Sequence, residues 1–154
     1  MLASIGSMVS LVLVAHSEPL LAALVAVVRD VTRTPPACFM AGGTDDGRPG
    51  TSLAKVRAAI RRGIDASADG CLVLYDTGSA WLTIGLTIEE LRAADRALVE
   101  LSDAPLVEGT LAAAARAAEG APLAEVAVAA ATALQADKRP PSSGRAGAGA
   151  VLTA

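Results

Sequence analysis

Aromatic residues are nearly absent from this chain of 154 residues. Phe, Trp and Tyr together make up 2% of it, whereas hydrophobic residues make up 53%. The core must therefore be built from Ala, Val, Leu and Ile side chains packed in close layers. Helices on a small sheet suit such side chains, and the length is that of one ordinary domain.

Cysteine and histidine are equally scarce, with two Cys and one His in the chain. Cys38 and Cys71 lie far apart, each in an apolar stretch, so we expect both thiols to be buried and unreactive. One His and two Cys do not supply a complete ligand set for zinc or an iron–sulfur cluster unless carboxylates join them. We therefore expect no metal site.

Basic clusters and long apolar runs are also lacking. The formal net charge is −3, and the sequence has no Lys/Arg cluster to neutralise nucleic-acid phosphates, which argues against a nucleic-acid partner. No stretch approaches the ~20 apolar residues that cross a bilayer, so we expect no membrane association. The first 17 residues contain no Lys or Arg, whereas a signal peptide begins with a basic region. We therefore expect a cytoplasmic protein.

Short apolar runs alternate with helical patterns along the chain. Strands are predicted at residues 11–15, 37–41, 71–75 and 105–107. Helices are predicted at residues 19–31, 52–64, 110–119 and 123–135. The capping box Thr87-Ile-Glu-Glu90 predicts the start or restart of a helix that runs to about Leu101. This alternation predicts an α/β fold of three layers, doubly wound around a mainly parallel sheet of four to five strands.

The two ends of the chain differ in composition from its centre. From Lys138 onward the residues are mostly Pro, Ser, Gly and Ala, with too little apolar bulk to offset the entropy of ordering. We predict one domain at residues 8–136, an extension at 1–7 and a disordered tail at 137–154. Met8 is an alternative start of the protein.

Reactive side chains are expected where the strands end, because in open parallel sheets the carboxyl ends of the strands line a crevice. His16 follows the first predicted strand and Asp76 follows the third. A carboxylate there can accept the hydrogen bond of one imidazole N–H, so that the opposite ring nitrogen keeps a free lone pair as a nucleophile.

Two helix starts lie at the same edge. The glycine-rich loop at residues 41–52 leads into a helix, and Ser79 lies at the start of another; amides at such starts favour anions. The loop lacks the spacing of a Walker motif, and no G-x-S-x-G elbow supports a Ser-His-Asp hydrolase. Taken singly, a solvated loop histidine, a turn and a helix cap explain these features. Together they predict phosphoryl transfer through His16.

Four segments carry a family resemblance. They read Val-Ala-His16-Ser, Asp46-Gly-Arg-Pro-Gly50-Thr51-Ser, Tyr-Asp76-Thr-Gly-Ser79-Ala and Pro105-Leu-Val-Glu-Gly109-Thr-Leu-Ala-Ala. In this order and spacing the chain resembles, over roughly residues 8–135, the phosphotransfer subunits of bacterial phosphoenolpyruvate-dependent dihydroxyacetone kinases. Their domain belongs to the mannose-type IIA class of the phosphotransferase system (PTS).

The resemblance implies a homodimer in which His16 is the phosphorylated histidine and Asp76 orients it. Gly50 and Thr51 match the loop beside the phosphate, and we expect the helix start at Ser79 to bind it as well. The implied donor is phospho-HPr, and the implied acceptor is ADP on the nucleotide-binding kinase subunit. The resulting ATP phosphorylates dihydroxyacetone on a third, substrate-binding subunit, and no cofactor is required.

Further expectations concern the partners. We expect HPr and enzyme I to be separate proteins, and Glu18, Asp45 and Asp46 to face a basic surface on HPr. Two alternatives remain open: a IIA domain of a mannose-type sugar transporter that hands phosphate to a IIB protein, and a regulatory module whose phosphorylated state is read by a partner. The Gly-Thr-Ser and Val-Glu-Gly-Thr-Leu segments favour the kinase subunit.

Overall fold

The structure is a computed structural model that describes residues 7–139, in which four strands alternate with helices. The strands are β1 (Ser10–Ala15), β2 (Cys38–Gly42), β3 (Cys71–Tyr75) and β4 (Val99–Ser102). The helices are α1 (Glu18–Val31), α2 (Leu53–Ala66), α3 (Gly78–Glu89), α4 (Ala93–Arg96), α5 (Leu106–Ala118) and α6 (Leu123–Ala131), followed by a 3₁₀ turn at Ala133–Gln135. Nearly all of the predicted extension and most of the predicted tail lie outside the described residues.

The four strands form one sheet in the order β2-β1-β3-β4, and every pair is parallel. The chain passes from β1 to β2 at one side and then returns across β1 to β3 at the other. The order therefore changes direction at β1, and the carboxyl ends of β1 and β3 border the crevice where such sheets bind ligands. The predicted α/β, doubly wound class is confirmed, with four strands.

Helices cover both faces of the sheet. The apolar cluster on one face joins β1 and β3 to α1, α5 and α6, and the cluster on the other face joins the same strands to α2 and α3. Along β1, Leu11 and Leu13 belong to the first cluster, whereas Val12 and Val14 belong to the second. Because both faces are covered, all of β1 is buried. The buried apolar side chains are Ala, Val, Leu and Ile together with Cys71, as the lack of aromatics predicts.

The two thiols are both protonated at neutral pH. Cys71 is fully buried, and burial raises the pKa of its thiol to about 12. Cys38 is half-buried, and burial raises its pKa to about 11, opposed by the charge of Arg29. The prediction of burial is thus confirmed for Cys71 and only partly for Cys38. Within residues 7–139, no helix is long and apolar enough to cross a membrane.

The predicted strand at residues 105–107 is wrong. The fourth strand is β4, which lies upstream, and Leu106 is already the first residue of α5. Pro105 precedes this helix with a φ of −57°, the value that its ring imposes and that a helix start accepts. Gly109 lies inside α5. A side chain does not fit at this position, because a Cβ there would lie 2.8 Å from the Cβ of Ala104. This glycine therefore marks a close contact rather than the start of a helix.

The helix predicted from the capping box at Thr87 is also wrong. Helix α3 is continuous from Gly78 to Glu89, and Thr87 lies inside it with a buried hydroxyl that donates to the carbonyl of Thr83 at 3.0 Å. The Arg96 side chain donates to the carbonyls of Ile88 and Glu89 near the end of α3. These bonds satisfy acceptors that the helix end leaves free, so the chain turns here and continues to β4.

Replacement of Gly63 in α2 by alanine is expected to lower the free energy of unfolding by about 1–2 kcal/mol. A Cβ at this position would lie 2.6 Å from Cγ2 of Val12 and 3.2 Å from Cβ of Cys71, and both residues are fully buried in the sheet. Overpacking of about 2–3 kcal/mol outweighs the gain of about 1 kcal/mol that alanine brings to a helix. Urea unfolding followed by circular dichroism measures the difference.

Gly85 in α3 provides the matched control. Apart from its chain neighbours and the backbone of α3 itself, no atom of the described residues lies within 4 Å of a Cβ built there. Gly85→Ala therefore keeps only the gain in helix propensity and is expected to raise stability by about 0.5–1 kcal/mol. Equal stability of Gly63→Ala and the unaltered protein would contradict the close packing of α2 on the sheet.

Candidate active site

His16 and Asp76 occupy equivalent places at the ends of the two central strands. Val14 of β1 is in register with Tyr75 of β3, and the amide of Asp76 continues this ladder by donating to the carbonyl of Val14 at 3.2 Å. In return, the amide of His16 donates to Oδ2 of Asp76 at 2.9 Å. The two strand ends are therefore joined by hydrogen bonds that bring imidazole and carboxylate together.

The imidazole ring contacts the carboxylate through Nδ1. This nitrogen lies 3.2 Å from Oδ1 and 3.2 Å from Oδ2 of Asp76. An ionised carboxylate only accepts hydrogen bonds, so we assign the ring proton to Nδ1 and the lone pair to Nε2. The His16 side chain is 35% exposed and that of Asp76 is 17% exposed, which leaves the outer ring atoms accessible.

Ser79 lies on the opposite side of the ring. Its Oγ is 2.8 Å from Nε2 of His16, and with the lone pair on Nε2 the hydroxyl is the donor. Ser79 is exposed and lies in the first turn of α3. The nitrogen that can act as a nucleophile therefore lies beside the hydroxyl group of an exposed residue.

Thr77 also touches the ring, with Oγ1 3.1 Å from Nδ1 of His16. No role was predicted for this residue, although it stands between Asp76 and the start of α3. Its position directly after a carboxylate at a strand end is the signal that was available. A hydroxyl at that place can reach whatever the carboxylate holds.

Gly50 supports the backbone of His16. Its amide donates to the carbonyl of His16 at 3.1 Å, in the same way that the amide of Gly43 donates to the carbonyl of Ala15 at 3.1 Å. Gly50 has a φ of +150°, and a Cβ there would lie 2.6 Å from Cγ2 of Thr44, so a side chain does not fit. The amide of Gly50 is thus already bonded, and its predicted contact with phosphate stays a prediction.

Thr51 forms an isolated bridge with Gly43 beside this contact. Its Oγ1 is buried and has no hydrogen-bond partner among the described residues. No hydrogen bond joins Thr51 to His16 within residues 7–139, so its role beside the phosphate is likewise a prediction. The structure thus joins His16, Asp76 and Ser79 through side chains, and Gly50 through the backbone.

Two of the acidic residues expected to face a partner are exposed and form hydrogen bonds within their own loop. Asp46 accepts from the hydroxyl of Thr44 at 2.5 Å and from Nε of Arg48 at 2.7 Å. These bonds, that of Thr44 first, lower the pKa of the Asp46 carboxyl below its ordinary value. Asp45 accepts from the hydroxyl of Ser52 at 2.5 Å. Both carboxylates are therefore already engaged by neighbouring side chains.

Glu18, the third of these acids, lies at the start of α1 against β2. A Cβ at Gly42 would lie 2.5 Å from Cα of Glu18, so glycine is needed for α1 to approach the end of β2. Lys55 Nζ donates to the carbonyl of Gly42 at 2.8 Å and lies 3.5 Å from Oε2 of Glu18. Lys55 is thus a cation beside Glu18 and the end of β2, and no role was predicted for it.

Comparison with known proteins defines the class. A family model described as "PTS system fructose IIA component", the EIIA-man family, matches residues 10–127. This match spans most of the chain, which therefore belongs to this family. His16, Asp76 and Ser79 all lie inside the matched region.

Two individual relatives show which kind of protein in this family the chain is similar to. The chain is 40% identical over 122 residues to the PEP-dependent dihydroxyacetone kinase, phosphoryl donor subunit DhaM of Escherichia coli (strain K12), with 77% of this chain and 25% of that protein covered. The chain thus spans about a quarter of the length of that relative. It is 33% identical over 105 residues to the PEP-dependent dihydroxyacetone kinase 1, phosphoryl donor subunit DhaM of Listeria innocua, with 68% and 78% covered.

A solved structure has the same fold. The crystal structure of a protein of unknown function, EF1359, superposes with a TM-score of 0.70 at 26% identity and covers 80% of this chain and 92% of its own. The predicted resemblance to the dihydroxyacetone kinase subunits and to the mannose-type IIA fold is thus confirmed.

Proposed function

We propose that this chain is the phosphoryl-carrying domain of the donor subunit of a phosphoenolpyruvate-dependent dihydroxyacetone kinase. His16 accepts a phosphoryl group from phospho-HPr and passes it to ADP bound on the nucleotide-binding kinase subunit. The ATP so formed phosphorylates dihydroxyacetone on the substrate-binding subunit. The names of the relatives from Escherichia coli and Listeria innocua support the kinase assignment.

The single observation that carries the proposal is that the two ring nitrogens of His16 have different surroundings. Nδ1 lies 3.2 Å from both carboxylate oxygens of Asp76, whereas Nε2 lies at the accessible side, 2.8 Å from the hydroxyl of Ser79. A ring held by one nitrogen and exposed at the other is suited to form a bond at the exposed one.

The transfer needs few participants. The lone pair of Nε2 attacks the phosphorus, so that an N–P bond forms as the bond from phosphorus to the donor's leaving group breaks. The ring then carries a positive charge, which the Asp76 carboxylate stabilises through Nδ1–H. The Ser79 hydroxyl turns from Nε2 to a phosphoryl oxygen. In the second transfer an oxygen of the terminal ADP phosphate attacks, and the N–P electron pair returns to Nε2.

The proposal also includes assembly of the chain as a homodimer in a complex with the kinase subunits. The homodimer follows from the resemblance, and the kinase partners follow from the resemblance and from the names of the relatives. Sedimentation of the isolated protein measures the dimer directly. A monomer at all concentrations used in the transfer assay would refute this part of the proposal and leave the chemistry of His16 standing.

A second candidate function is that of a IIA domain in a sugar transport system. The description of the family model, "PTS system fructose IIA component", favours it. In that case the acceptor is a IIB protein instead of ADP. The chemistry at His16 is the same in both, so the acceptor must be identified by experiment.

Incubation with phosphoenolpyruvate, enzyme I and HPr is expected to place one acid-labile phosphate on His16, because this is the chain's only histidine. Addition of the two kinase subunits with ADP and dihydroxyacetone is expected to move a ³²P label into dihydroxyacetone phosphate. Omission of ADP is the control. Label that leaves His16 only for a IIB protein would identify the sugar transporter, and label that stays on His16 with every acceptor would identify a regulatory module.

A further inference from the structure

Thr77 occupies the N-cap position of α3, where a threonine hydroxyl ordinarily accepts a hydrogen bond from one of the first helical amides. Thr77 makes no such side-chain bond. Its Oγ1 lies instead 3.1 Å from Nδ1 of His16. The hydroxyl at the start of α3 is therefore directed at the imidazole and not at the helix.

Two other long helices that begin at this edge, α1 and α2, also have a hydroxyl residue at the N-cap and provide an internal comparison. At the start of α1, Ser17 Oγ accepts from the amide of Leu20 at 3.4 Å. At the start of α2, Ser52 Oγ accepts from the amide of Lys55 at 3.1 Å. Like these two serines, Thr77 has an extended backbone. Among these three N-caps, only the hydroxyl that lies next to the imidazole is withdrawn from its helix.

We propose that Thr77 is a positioning residue for His16, acting together with Asp76. The carboxylate alone does not define the orientation of the ring, because its two oxygens are equally distant from Nδ1, at 3.2 Å. A third acceptor on a different residue restricts the swing of the ring between them. It also adds to the preference for the proton on Nδ1, so that the lone pair stays on Nε2.

This role separates two properties that a helix cap would combine. Loss of an ordinary N-cap hydroxyl lowers stability, whereas loss of the Thr77 hydroxyl breaks no bond to its helix. We therefore expect Thr77→Val, which keeps the branched shape, to leave the urea midpoint of unfolding unchanged and to alter the imidazole. Thr77→Ser, which keeps the hydroxyl, is expected to behave like the unaltered protein.

The ring can be observed directly, because His16 is the only histidine in the chain. In the ¹⁵N-labelled, unphosphorylated protein, the shifts of Nδ1 and Nε2 report the share of each tautomer. We expect Thr77→Val to move both shifts toward the average of the two tautomers and to slow phosphoryl uptake by about 3–10-fold, the range of one neutral hydrogen bond. Ser52→Ala is the matched control, with a lower urea midpoint and unchanged ring shifts.

Unchanged ring shifts in Thr77→Val would overturn the proposal, whatever happens to the rate. So would a fall in the urea midpoint as large as that of Ser52→Ala, because it would identify Thr77 as an ordinary cap. The effect on uptake rests on the proposed function, but the ring shifts are read without phosphate. Absence of phosphorylation in the unaltered protein would therefore refute the carrier function and leave the positioning of His16 to be judged by its own measurement.

Discussion

His16→Ala is expected to abolish phosphoryl uptake from phospho-HPr. The residue supplies the only imidazole in the chain, and without Nε2 no acid-labile N–P bond can form. The neighbouring Ser79 hydroxyl does not replace it, because a serine oxygen without an adjacent base is a weak nucleophile. Incubation with phosphoenolpyruvate, enzyme I and HPr, followed by mass spectrometry under neutral conditions, measures the incorporated phosphate.

The fold is expected to survive this change, because the backbone hydrogen bonds of His16 do not depend on its side chain. Its amide donates to Asp76 at 2.9 Å, and its carbonyl accepts from Gly50 at 3.1 Å. Circular dichroism and urea unfolding of His16→Ala test this point, with Gly85→Ala as a folded variant that takes up phosphate. A normal amount of acid-labile phosphate on His16→Ala would refute transfer of the phosphoryl group through this residue.

The sequence predicts the centre of the fold better than its far edge. The central strands β1 and β3 are continuous apolar runs because they are buried on both faces. The edge strand β4 has four residues, includes Glu100 and is half-exposed for most of its length. Its sequence therefore lacks the continuous apolar run that distinguishes a buried strand from a helix. Local rules take Gly109 and Thr87 for helix boundaries, but Gly109 packs against Ala104 and the Thr87 hydroxyl bonds to Thr83 inside α3.

The contacts of the candidate site also differ in whether the sequence predicts them. His16 and Asp76 can be paired from the sequence because parallel strands end at one edge, so residues that follow neighbouring strands meet. The contact of Gly50 with the His16 carbonyl depends on the direction of an amide in a loop, which composition does not specify. The contact of Thr77 with the ring was hidden because an N-cap threonine already has an ordinary explanation.

Asp76→Asn is expected to slow phosphoryl uptake by His16 by at least about 100-fold while the protein stays folded. The amide of asparagine can still accept from the backbone N–H of His16 through its carbonyl oxygen, so the link between the strand ends is kept. It carries no charge to stabilise the phosphorylated, positively charged ring. Its NH₂ group can also donate to Nδ1, which favours the tautomer with the proton on Nε2 and blocks the nucleophile.

Asp76→Ala separates the backbone link from the charge. It removes the acceptor of both the His16 amide and Nδ1, so we expect the same slow transfer together with a loss of stability of about 1 kcal/mol or more. Single-turnover transfer from phospho-HPr in a quench-flow instrument gives the rates, and urea unfolding gives the stabilities. If Asp76→Asn transfers at near-normal rate, the carboxylate is only a structural link between β1 and β3, and the stabilisation of the phosphorylated ring must come from elsewhere. The expected result is that both variants transfer slowly, whereas only Asp76→Ala loses stability. The slow transfer is then due to loss of the negative charge and of the Nδ1–H tautomer, because only these are lost in both variants.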